Sequence, residues 1–254
     1  MKKNAFHLFW LLSVLLYSCS NTTEETTTIQ LQWQHSWDQQ NVSHADLETT
    51  EFQTAHGEYI TISRLRYLIS RIVLVHSNGE EYAVENPYFL VDISQPETLQ
   101  ISLGNDLPMG TYSALNFTFG FMDADNLDGE YPTLNTANWN VPMMLGGGYH
   151  YLQLEGEFRS VNDQPQPFNY HMIRAADRTD PDNLILQETA FRVSLGEFEV
   201  SEDATLQVDM QLNEWFQNPY LWDLNQWNTM LMPNFNAQLK MKENGSNVFQ
   251  YPSL

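Results

Sequence analysis

The sequence predicts a mainly β protein, an antiparallel β-sandwich or flattened barrel with one or two short helices near its C-terminus. Three observations carry this expectation. Apolar and polar residues alternate strictly in several short runs. Turn residues punctuate those runs at close intervals. Hydrophobic residues make up 42% of the 254-residue chain and aromatics 13%, enough for a sizeable core. Neither an internal repeat nor a break in composition divides residues 29–254, so a single domain is expected there.

The first run is Ile29 to His35. Ile29, Leu31, Trp33 and His35 share one face and Gln30, Gln32 and Gln34 the other, the pattern of a half-buried strand. His35 therefore sits at the end of the apolar face. Arg64 to Val75 follows as a second strand, closed by the turn Ser77-Asn78-Gly79, with Glu81 to Val84 and Tyr88 to Asp92 returning beside it. Thr111 to Phe121 alternates through Leu115, Phe117 and Phe119. Gly148 to Phe158, Phe168 to Ile173, Ala190 to Leu195 and Thr205 to Leu212 complete the set. Pro233 to Asn244 has helical character, with a proline near the first turn and Asn244-Gly245 as a stop.

Ahead of the domain, residues 1–18 read as an export leader. Lys2 and Lys3 precede an apolar run from Phe6 to Leu16, too short to span a bilayer. Leu16-Tyr17-Ser18-Cys19 resembles a bacterial lipobox, which predicts cleavage before Cys19 and lipidation of its sulfur. Residues 19–28 then serve as a flexible tether. Glu24 and Glu25 resemble a weak surface-export signal of Bacteroidetes lipoproteins. The expected location is the outer membrane, as a periplasmic or surface-exposed lipoprotein held by its anchor. Cys19 is the only cysteine, which excludes an intramolecular disulfide and a cysteine-rich metal cluster.

The formal charge is −21, and loss of Lys2 and Lys3 with the leader takes it near −23. Such a surface excludes nucleic acid as a partner and attracts cations. No Gly-x-Ser-x-Gly or His-Glu-x-x-His appears, so a binding protein is expected rather than an enzyme. Asp123 to Glu130 looks at first like a calcium loop, but Leu127 and Leu134 stand at the fifth and twelfth positions, where an EF-hand needs oxygen ligands. An irregular calcium site stays open there, beside the alternative of a solvated acidic loop.

Four segments together resemble the MbnP-like family. They are Tyr59 to Leu74, similar to its "isrlryyiSnv.L" strand; Phe117 to Asp123 with Asn126; Gly148 to Gly156, similar to its "GY.fl.leG" strand; and Tyr170-His171, at the place of a strand histidine. His35 and the stretch Met230 to Phe249 also fit. The resemblance implies a β-sandwich outside the cytoplasm that captures or stores copper through imidazoles and an oxidised tryptophan, kynurenine, beside a di-haem, peroxidase-like partner. The chain departs from the family where Trp-x-Trp is common: Met143-Met144-Leu145 stands there, with Trp139 nearby but out of register.

Six histidines lie past the leader: His35, His44, His56, His76, His150 and His171. Imidazole and thioether are the ligands that suit copper. With the resemblance, His35 and His171 are the leading metal candidates and His150 a lesser one. Met143 is a candidate Cu(I) ligand because of its position, although methionine commonly fills core space. The alternative is a metal-free surface lipoprotein that meets a glycan or protein through exposed aromatics such as Trp215, Trp222 or Trp227.

Overall fold

The computed structural model describes residues 25–160, 164–180 and 183–252. Cys19, the leader and most of the tether lie outside the described residues. Two sheets face each other as a sandwich and do not close into a barrel. The larger is built on the 18-residue strand Tyr59–His76, flanked by Leu152–Arg159 and Gly110–Phe119, with Pro165–Met172 and Phe191–Leu195 outside these. The short strands Glu51–Gln53, Glu81–Ala83 and Tyr88–Asp92 also pair with the long one. In the smaller sheet, Thr26–Trp37 is central, between Thr205–Gln211 and Gln100–Pro108.

The strand period is what builds the core between them. Ile29, Leu31, Trp33 and His35 are buried, as alternation predicts. Trp33 meets Phe117 edge-on at 5.4 Å and Tyr67 at 6.1 Å, while Phe119 stacks on Phe191 at 5.0 Å. Such pairs add about 0.5–1.5 kcal/mol each beyond the area they bury.

Several features of the strands differ from the sequence-based expectation. Thr26 to Thr28, read as tether, already belong to the first strand, and Thr27 is buried. That strand runs parallel, not antiparallel, to Thr205–Gln211. Gln100–Pro108 is an additional strand; a register shift at Gly104 and left-handed Asp106 break up its pattern. Finally, Gly148 to Tyr151 stay off the ladder, because Gly146, Gly147 and Gly148 all have positive φ. A Cβ on Gly148 would come within 2.4 Å of Asn126 Oδ1, so close packing demands glycine there.

The C-terminal segment folds as expected into one helix, Phe235–Gly245, capped by the Asn234 side chain, which accepts a hydrogen bond from the Ala237 amide. Trp215 and Trp222 are wholly buried in the core and Trp227 partly so. They are core aromatics, contrary to the expectation that they face a ligand.

Candidate metal centre

Alternation along the strands sorts the histidines. In Pro165–Met172, Phe168, Tyr170 and Met172 point into the core, which turns His171 to the outer face of the larger sheet. There it lies opposite Gln153 in register, next to Glu155 and Arg66. The segment after Pro132–Thr136 folds back over this face, held by the Asn140–Tyr149 bridge, and brings Trp139 and His150 onto it.

His150 and His171 meet edge to face with ring centroids 5.3 Å apart. Nδ1 of His150 is 2.9 Å from the Trp139 carbonyl, which only accepts, so this nitrogen carries the proton. Burial pushes the His150 pKa down to about 4, so the ring is neutral near pH 7 and Nε2 holds a bare lone pair. That lone pair faces Sδ of Met232 at 3.2 Å. Neither atom has a proton to offer the other. His171 is held by the same kind of contact: its Nε2 donates to Glu155 Oε1 at 2.8 Å. This bond, with Arg64 at 2.8 Å, holds the Glu155 carboxyl below its ordinary range.

Supporting groups fix these donors. Gln238, fully buried on the helix, donates from Nε2 to the carbonyls of His171 at 2.9 Å and Leu231 at 3.0 Å, and accepts from the Ile173 amide at 2.8 Å. One side chain thus ties the strand bearing His171 to the loop bearing Met232. Trp139 is buried with Nε1 unpartnered, and the Arg66 guanidinium lies 5.0 Å over its ring.

Two imidazoles and a thioether, with a lone pair aimed at a sulfur, form a soft donor set that fits Cu(I). The structure therefore brings the His171 ring against His150, and His150 against Met232, a ligand candidate that the sequence reading missed. It does not bring His35 there. His35 lies inside the core, its Nε2 3.0 Å from the Tyr67 hydroxyl, with the sheet between it and His171. Met143 is exposed in the short Met143–Leu145 helix, while Val141 and Leu145 beside it pack with Met232. The acidic loop does not gather oxygens either. Asp123 turns to Arg174, Asp125 to Arg71 and Asp128 to the Gly148 amide.

The family model described as MbnP matches residues 26–233. In fold, the chain is similar to MbnP from Methylosinus trichosporium, with a TM-score of 0.53 and 13% identity over 78% of this chain and 80% of that one. At that identity the likeness is one of fold. No curated protein matches the chain.

Proposed function

The chain belongs to the MbnP family, and from that membership we propose that it binds copper outside the cytoplasm, held by His150, His171 and Met232. The family is linked to copper. The observation that carries the assignment of ligands is the bare Nε2 of His150 facing Met232 Sδ at 3.2 Å. A soft cation between them would satisfy two electron-pair donors that cannot satisfy each other. Copper held this way suits capture or storage: the reading is of a binding protein, not an enzyme. In this reading the tryptophan converted to kynurenine is Trp139, a choice supported by its ring contact with His150 at 5.6 Å.

The same reading includes lipid attachment at Cys19, an outer-membrane location, and a di-haem, peroxidase-like partner. The anchor and the location are supported by the basic, apolar and Ser18-Cys19 order of the leader, and the partner rests on the family alone. Cu(I) titration of the purified chain against a chromogenic chelator tests the ligands. One tightly held equivalent in the wild type, lost in His150→Ala and His171→Ala, is the expected result. Undiminished copper in both variants refutes the assignment. Intact mass of protein extracted from membranes reads both the acyl groups on Cys19 and any change at Trp139.

A further inference from the structure

A second donor cluster lies away from the His150–His171 centre, where the turn before the long strand meets the loop after Trp222. Its members are His56, Glu58 and Asp223, whose ligand atoms all lie within 4.8 Å of one another. Nδ1 of His56 is 2.7 Å from Glu58 Oε1 and 3.8 Å from Asp223 Oδ1. Glu58 is buried, with only 5% of its side chain exposed, and it accepts from Thr54 Oγ1 at 2.6 Å and Asn225 Nδ2 at 2.9 Å. Asn225 also donates to Asp223 Oδ1 at 3.1 Å.

Two carboxylates converge here on a single imidazole. A desolvated carboxylate is costly unless paired with charge or coordinated. Among the described residues, the ion pairs of Glu58 and Asp223 are with His56 alone. We propose that His56, Glu58 and Asp223 form a second metal site, for a divalent transition ion of the zinc type, which staples the turn at residues 54–58 to the loop that starts at Asp223. Imidazole nitrogen and carboxylate oxygen are both zinc donors, and three protein ligands with water complete a tetrahedral shell. This donor set is hard to borderline and contains no sulfur, unlike the copper centre, so the two sites select different metals. The staple also bears on the first site, since the clamped loop runs on to Met232 within nine residues.

Zinc(II) alone is the probe, titrated calorimetrically into metal-free wild type, His56→Ala, Asp223→Asn and His150→Ala. His56 is one-third exposed and Asn is isosteric with Asp, so both site variants should fold, which circular dichroism checks. The expected result is one zinc equivalent in the wild type, retained in His150→Ala and weakened at least about tenfold in each of the other two. Absence of stoichiometric zinc in the wild type overturns the proposal. So does unchanged affinity in either site variant, or loss of zinc in His150→Ala with retention in His56→Ala. Copper binding is read separately, so failure here leaves the His150–His171–Met232 assignment standing.

Discussion

Met232 Sδ stands 3.2 Å from Nε2 of His150, although 82 residues separate the two in the chain. The contact is made by a loop packed on the outer face of the larger sheet, and Gln238 sets its register. That arrangement yields distinct expectations for each group.

Met232→Leu removes the sulfur and nearly preserves volume. Cu(I) affinity should fall by about tenfold or more, while the fold loses less than about 1.5 kcal/mol. Chelator competition and urea unfolding on the same preparation separate the two effects; retained affinity would remove Met232 from the ligand set.

His35→Ala should leave copper affinity unchanged. It strands the buried Tyr67 hydroxyl, which now shares a hydrogen bond with His35 Nε2, and opens a cavity in the core. The cost should be about 2–4 kcal/mol in urea unfolding. A copper defect in the correctly folded variant would place His35 back among the ligands.

Acid should weaken the fold through the same residue. Burial lowers the His35 pKa from 6.5 to about 3. Between those values the unfolded chain binds a proton that the folded chain refuses. This contribution is intact above pH 6.5 and is lost as pH falls toward 3, on the order of a few kcal/mol. His150, lowered to about 4 by burial, acts in the same direction. Urea midpoints at pH 7 and pH 4.5 measure the loss, which should be smaller in His35→Gln.

Gln238→Leu keeps the helix but strips three partners: the His171 carbonyl, the Leu231 carbonyl and the Ile173 amide. A destabilisation of about 3 kcal/mol or more is expected, since each unsatisfied buried group costs about 1–3 kcal/mol. Copper affinity should fall as well, because the strand and the loop then lose their common tie. Equal affinity at full folding would show that the donors hold their positions without it.

Gly148→Ala places a Cβ against Asn126 at a φ of +81°. Backbone strain and collision together should cost about 1–3 kcal/mol. Because His150 follows two residues later, thermal stability and copper binding should decline together.

Much of the fold was legible in local patterns. The strict alternation from Ile29 to His35 placed its inner face correctly, and Tyr88–Asp92 appeared with the expected bounds. The Gln100–Pro108 strand was hidden by Gly104 and the Asn105-Asp106 pair, residue types that favour turns but here form a bulge. Parallel pairing of the first strand with Thr205–Gln211 leaves no local trace, because it joins segments far apart in sequence. Of the proposed ligands, His171 is the one that the family's strand pattern had already suggested. Trp139 looked out of register, yet its carbonyl fixes the His150 tautomer. The approach of Met232 to His150 was illegible because it depends on a loop and on Gln238. The core position of His35 was half legible: alternation put it on the inner face, but its pairing with the Tyr67 hydroxyl depends on a strand 32 residues away.

The parallel pairing also has a temporal consequence. Thr26–Trp37 is made first and lies in the middle of its sheet, yet one of its neighbours begins only at Thr205. A chain synthesised from its N-terminus must therefore leave this strand half-paired until about four-fifths of its length has emerged. Closure of such distant contacts is slow. Throughout that interval an apolar edge bearing Leu31 and Trp33 is open to chaperones, and the arrival of Thr205–Gln211 decides when that period ends.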